Sequence, residues 1–413
     1  MLKFKQKKLL VRVSLSLALL ILFSGFKTNV KAMALDEATQ QVITEAITDN
    51  TSTQINNNIS QNLIYETSLG SIRYKVYTSR SIDTFLIAAA LYNNFQGNYI
   101  MPNSDQVEIF KAAKEYFSPY ANHTFIKNFG KYMALNKAND IDSSILGVLL
   151  SYTDLPDLSP KIDVSDKLPY SLKSKENLEE FLTELKSFYN DTHAEDFFNK
   201  NSNHYDALAS YVKNNEDASA TIKLINGAVD YVGNKSKYYD NKEIVYCTLL
   251  SFYRTLGSFY TIPSGNSTNF VSIQYAYKST NQSQDNFDIN NITKTSIHEY
   301  LHNFINTPVY ENLELINNVT NGKYKVNYCS QTYYEFPWNR ITDENFVRAI
   351  EARLYKNVFN ENLALNNIIY PETKNGFTHV QALYNKLDYY EKDRQSYTTI
   401  NDFIPQLINE LYS

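Results

Sequence analysis

Two of the six histidines stand four residues apart in Thr295-Ser-Ile-His298-Glu299-Tyr-Leu-His302-Asn-Phe304-Ile305. On a helix, side chains four apart share a face, with Cβ atoms about 5–6 Å from each other. Both imidazoles can then reach one Zn²⁺ at about 2.0–2.1 Å. Glu299, beside the first histidine, is placed to deprotonate a water instead of binding the ion. Ile297, Leu301 and Phe304 form the apolar stripe that docks such a helix into a core. With so few histidines, HExxH arises by chance on the order of once in two hundred such chains.

Two histidines do not complete a zinc site. A third protein ligand is needed, with the fourth position left for water. His379 is the only histidine downstream, and an HExxHxxGxxH extension is absent because Ile305 and Pro308 occupy its positions. The remaining common solution is a later glutamate, from Glu311, Glu314, Glu335, Glu344 and Glu351. Residues 342–358 have helical period, with Thr342 or Asp343 as N-cap. That helix puts Glu344, Val347, Arg348, Glu351 and Tyr355 on one face. An acid buried there is costly unless paired or coordinating. Glu344 is the preferred third ligand and Glu351 the alternative; a Glu344–Arg348 surface pair is the reading without metal. Glu344 and Glu351 lie about 10 Å apart along the axis, so both cannot bind one ion.

The rest of the chain reads as α+β, mainly α-helical, with a small sheet. Residues 71–78 alternate as a strand. Helical spacing follows in 81–93, 105–117, 124–135, 142–152, 176–189, 205–213 and 218–229. Residues 245–256 are ambiguous between helix and strand, and 261–269 are expected to form a loop. Residues 270–278 alternate as a half-buried strand, a candidate sheet edge for an extended substrate. The metal-ligand helix is expected over 292–306, stopped by Pro308, with late helices at 377–391 and 398–412. This divides the chain into a helical part, 66–240, and a catalytic part, 241–413.

Residues 1–32 hold seven Lys/Arg and no acid, around the apolar run 13–26, and end in Val30-Lys-Ala32. This is the layout of a cleaved export signal, and the run is short for a membrane span, which needs about 20 residues. Residues 33–65 read as a polar linker or arm. The expected mature protein is secreted and has no membrane span. It carries 32 basic against 44 acidic residues, which argues against a nucleic-acid partner. Cys247 and Cys329 rule out a four-cysteine metal site. They are expected either as one disulfide or as buried thiols.

Four segments carry a family resemblance: Tyr116-Phe-Ser-Pro-Tyr-Ala-Asn-His123, Phe181–Tyr189 with Phe197-Phe198, His298-Glu-Tyr-Leu-His302-Asn-Phe-Ile-Asn306, and Glu344-Asn-Phe-Val-Arg348-Ala349. From about Ser71 to Tyr412 the chain resembles uncharacterised bacterial proteins classed as a domain of unknown function with a zincin-like HExxH. The pairing of HExxH with ExxxRA is the specific part. The resemblance implies a zincin-like core of gluzincin type and the ligand set His298, His302 and Glu344. One departure stands out: where thermolysin-like enzymes carry an acid four residues after the glutamate ligand, this chain has Arg348.

The function expected is that of a secreted zinc metallopeptidase acting on a peptide or protein substrate, with Glu299 as general base. The alternatives are a non-catalytic zincin-fold binding protein and a zinc hydrolase of a non-peptide amide. Tyr333, Tyr334 and Tyr355 are the candidate oxyanion donors. His123 is expected to be a hydrogen-bonded structural residue.

Overall fold

A computed structural model of the chain describes residues 63–69, 72–95, 107–132, 143–161, 172, 174–233, 243–253, 258–264, 267–276 and 287–413. The expected export signal and nearly all of the arm lie outside them. The last three residues of that arm, Leu63, Ile64 and Tyr65, instead open a strand, β1 (Leu63–Leu69). It pairs antiparallel with β2 (Ile72–Tyr77). Among the described residues no helix is long and apolar enough to cross a membrane.

Among the described residues eight α-helices follow: α1 (Arg80–Tyr92), α2 (Glu108–Phe117), α3 (Thr124–Tyr132), α4 (Ser143–Leu150), α5 (Lys175–Asp191), α6 (Ala194–Lys200), α7 (Ser202–Asn215) and α8 (Ala218–Val232). Rings from α1, α3 and α5 fill the core between those helices: Phe85, Phe125, Phe129, Phe181 and Phe188 contact one another edge-on, stacked or tilted. Such pairs add to the burial of their area.

Then come β3 (Glu243–Ser251), β4 (Ser258–Ser264) and β5 (Ser267–Tyr275). The sheet order is β1-β2-β3-β5-β4. The three middle strands are parallel and the outer two antiparallel to their neighbours. Every residue of β3 after Glu243 is buried. A strand covered on both faces loses its alternation, which explains the ambiguous period of residues 245–256. The expected loop at 261–269 is instead most of β4 and the start of β5. Pro263 is tolerated there because β4 is an edge strand. It follows that β5 is an inner strand and the sheet edge nearest the histidine helix is β4.

That helix, α9, runs from Ile289 to Glu311, longer at both ends than the period suggests. Pro308 lies inside it. So near the C-terminus a proline removes one backbone bond without ending the helix. The Asn312 side chain donates to the Pro308 carbonyl at 2.9 Å. After α10 (Leu313–Thr320), α11 runs from Trp338 to Val358. It starts four residues before the expected N-cap, and Thr342 is an interior residue whose hydroxyl donates back to the Trp338 carbonyl at 2.8 Å. The chain closes with α12 (Glu361–Ala364), a π-turn (Leu365–Ile369), α13 (Tyr370–Lys374), α14 (Val380–Lys392) and α15 (Ile400–Leu411). The architecture is mainly helical with one small mixed sheet built from strands on both sides of residue 240. α9 packs on β4 and β5, and α11 packs against α8, α9 and α14.

At about 100° per residue, Ser296, Tyr300 and Asn303 face the sheet while His298 and His302 face away from it. The sheet holds α9 through hydroxyls. Thr248 of β3 lies 2.9 Å from Ser296 Oγ and 3.2 Å from the Tyr300 hydroxyl, and accepts from Tyr74 of β2 at 3.2 Å. Thr261 of β4 donates to Asn303 Oδ1 at 2.9 Å. Thr248→Val keeps the shape and leaves three buried hydroxyls short of a partner. It should lower stability by about 1–3 kcal/mol, read as the shift in denaturant midpoint against wild type.

Candidate metal centre

His298 and His302 occupy the face of α9 that meets α11, their rings 5.0 Å apart and nearly perpendicular. Glu344 comes to them from α11. One carboxylate oxygen, Oε2, lies 3.5 Å from His298 Nε2, and the other, Oε1, lies 3.7 Å from His302 Nε2. One nitrogen of each histidine and one oxygen of Glu344 all lie within 4.8 Å of one another, close enough to share an ion. Sequence separation of more than forty residues is closed by the packing of two helices, as the acid-helix reading requires.

Each histidine is held from behind. Asp343 Oδ2 lies 2.8 Å from His302 Nδ1. The Asn306 amide, turned so that its nitrogen faces Asp343, donates to both carboxylate oxygens at 2.8 and 2.7 Å. Glu351 Oε2 lies 3.3 Å from His298 Nδ1. Carboxylates on both Nδ1 atoms favour the tautomer that leaves Nε2 free to bind an ion. Glu351 therefore meets His298 on the nitrogen that faces away from Glu344 and stands outside the group of His298, His302 and Glu344.

Arg348 bonds the Glu344 carboxylate and, at 2.9 Å, the Glu344 carbonyl, so this pair is buried and not a surface pair. Its Nε donates to Glu372 at 2.8 Å, and Lys294 of α9 contacts the same acid at 3.2 Å. Phe377 lies under the guanidinium, 3.8 Å from its carbon to the ring centre. Burial would raise the Glu344 pKa, but Arg348 and His302 outweigh it and hold the carboxyl well below its usual range. Glu372 behaves alike: burial opposes, Arg348 and Lys294 prevail, and its pKa falls to about 2. Burial would lower the His298 pKa, but bonds to Glu344 and Glu351 raise it to about 9.

Residues 93–410 match the family described as "Domain of unknown function (DUF4932)". The chain belongs to that family. No curated protein and no solved structure matches it. Every residue of the centre lies inside the DUF4932 span, whereas β1, β2 and α1 precede it.

The donor set of this DUF4932 domain, two imidazole nitrogens and one carboxylate, suits a divalent ion of the zinc type. Glu299 lies beside His298, half-buried, about 100° around the helix. Glu311, Glu314 and Glu335 are exposed and outside the cluster. Tyr333 lies against Arg348, its ring centre 5.9 Å from the guanidinium carbon. Tyr355 is buried further along α11, and the Tyr334 carbonyl accepts from Lys325 at 2.7 Å. His123 bonds Asp191 at 3.1 Å and accepts from the Phe125 amide at 3.1 Å, a structural arrangement. His379 stacks on Tyr328. Cys247 and Cys329 are buried free thiols.

Sequence reasoning missed Asp343, Asn306, Glu372 and Lys294. Asp343 had a signal, an acid directly before the ligand glutamate, that the reading as N-cap absorbed. Glu372 had none, because it reaches the centre only through tertiary packing.

The raised His298 pKa has a consequence for protein freed of divalent ions by chelation. The folded value of about 9 exceeds the ordinary 6.5. The stabilisation is fully present below pH 6.5 and is lost as pH rises through 9. Thermal midpoints of the chelated protein should fall across that window, and His298→Gln should flatten the fall. A wild-type midpoint that stays level from pH 6.5 to 9 would contradict the assignment.

Proposed function

We propose that this chain is an exported zinc-dependent metallopeptidase of gluzincin type. The convergence of His298, His302 and Glu344, with a buried carboxylate behind each imidazole, carries the reading. Zn²⁺ held by these three residues would supply Lewis acidity, polarising a peptide carbonyl and acidifying a water. Glu299 accepts the proton of the attacking water and returns it to the leaving amine. Asp343 and Glu351 fix the imidazoles, while Arg348 and Glu372 fix Glu344. β4, the edge strand packed on α9, supports an extended substrate held by main-chain pairing. Export rests on the basic head, apolar run and Val30-Lys-Ala32 of residues 1–32.

Purified mature chain should contain one Zn²⁺ by metal analysis. Glu344→Ala should lose it, because only two ligands remain. Asp343→Asn and Glu351→Gln should each weaken affinity by about 10–100-fold in chelator competition. Loss of zinc from Glu351→Gln with retention in Glu344→Ala would reverse the ligand assignment.

Glu299→Gln separates peptidase from binding protein. It should retain zinc and lower peptide-library cleavage by about 10²–10⁴-fold, the usual range for a general base. Full activity in that variant would remove Glu299 from the mechanism. Cleavage confined to non-peptide amides would replace the substrate class.

A further inference from the structure

We propose that Arg340 is a carboxylate anchor beside the metal centre, so that preferred substrates carry a carboxylate near the scissile bond. This rests on the peptidase reading above. Arg340 stands in the first turn of α11, four residues before Glu344. Its Nη2 lies 3.9 Å from Glu344 Oε1, and its Nη1 lies 3.9 Å from Asp343 Oδ2. These distances allow attraction but exceed hydrogen-bond length. Glu344 Oε1 is the oxygen nearer His302, so Arg340 stands on that side of the centre.

The nearby acids are already engaged. Asp343 is held by His302 and Asn306, and Glu344 is bonded by Arg348. Arg340 Nε is buried without a hydrogen bond, and Nη1 and Nη2 reach Asp343 and Glu344 only as ion pairs at 3.9 Å, beyond hydrogen-bond length. The two other arginines further along α11 differ. Arg348 bonds Glu344 and Glu372, and Arg353 bonds Glu391, Asp388 and the Tyr384 carbonyl. Leaving a largely buried guanidinium unbonded is costly unless a ligand completes it. Its fork of donors matches a carboxylate with two parallel bonds. The Arg340 side chain keeps 13% of its surface exposed, enough for an anion to reach it. The carboxylate can come from a peptide C-terminus or from an acidic side chain.

The test uses full mature chain carrying Glu299→Gln, loaded with zinc, so that binding is read without turnover. The probes are N-acetyl-trialanine as the free acid, its C-terminal amide, and the amide with one alanine replaced by glutamate. Trp338, the only tryptophan and two residues from Arg340, reports binding by fluorescence, with calorimetry as a second readout. A peptide carrying a carboxylate should bind at least about ten-fold tighter than the neutral amide. Preference for the free acid assigns the C-terminus; preference for the glutamate amide assigns a side chain. Arg340→Gln should abolish the preference with zinc content unchanged, and Arg340→Lys should keep part of it.

Equal binding of the three peptides overturns the proposal, whether or not the Arg340 variants fold. Loss of zinc in Arg340→Gln overturns it too, since Arg340 would then only balance the ligand acids. Wild-type cleavage without acid preference sinks the anchor and spares the peptidase reading. Acid preference in a chain that binds no zinc or cleaves nothing spares the anchor and sinks that reading.

Discussion

His298 lies between two carboxylates that the facing helix presents two turns apart. Its Nε2 is 3.5 Å from Glu344 and its Nδ1 3.3 Å from Glu351. The ring's two nitrogens point in different directions, so one imidazole spans the two turns. That demand sets how α9 and α11 lie on each other: a shift of either helix by one residue breaks both contacts. It also brings two buried acids against one ring, which water would otherwise solvate. Burying acids this deeply is unfavourable unless each finds a cation or a proton.

The chain meets that demand with a ladder of alternating charge. Glu344 is bonded by Arg348, Arg348 by Glu372, and Glu372 by Lys294, which returns to α9. The ladder begins and ends on the two helices that form the centre. Its third member, Glu372, comes from the segment after α11, which ties residues 361–377 to the site although none of them belongs to the group of His298, His302 and Glu344. Gly376 lets that segment turn: its φ is +100°, and a Cβ would come 2.9 Å from Ser330 Cα. Phe377, the next residue, is then set under the Arg348 guanidinium. The sheet does the opposite work on the far side of α9, where Thr248, Tyr74, Ser296 and Tyr300 share hydroxyl bonds.

The helical and strand elements were mostly legible because their periods are local. The pairing of His298 with His302 was legible because a spacing of four is a property of the helix itself, whereas Glu344, on another helix, was singled out among five acids by the acid-helix reading and by the ExxxRA resemblance. What failed had tertiary causes. β3 is buried on both faces and shows no alternation; β4 contains Pro263 and reads as loop until its edge position is known. Pro308 as a stop and Thr342 as an N-cap are helix-boundary signals that the structure places inside helices. The departure at Arg348 signalled that the outer partners must differ, but not how. The partner of the first histidine is Glu351, seven residues after Glu344 instead of four, and Arg348 bonds the ligand glutamate itself. Single-residue spacing could not show this, because the contact depends on where α9 crosses α11.

The charge count links the ladder to the proposed chemistry. Asp343, Glu344, Glu351 and Glu372 are buried acids, set against Lys294, Arg340 and Arg348. With both histidines neutral, one negative charge is left over. A proton on His298 balances it, in line with the pKa of about 9. A divalent cation held by His298, His302 and Glu344 in place of that proton would leave the group one charge positive, which an ionised, half-buried Glu299 would offset. In the proposed mechanism Glu299 would take up a proton, and the positive charge would return as negative charge develops on the substrate carbonyl oxygen. Electrostatic stabilisation works best when the compensating charge needs no rearrangement to appear. Arg340 gains from the same balance: its donors stay unbonded because Arg348 already bonds Glu344, and an incoming carboxylate completes them without displacing any member of the ladder.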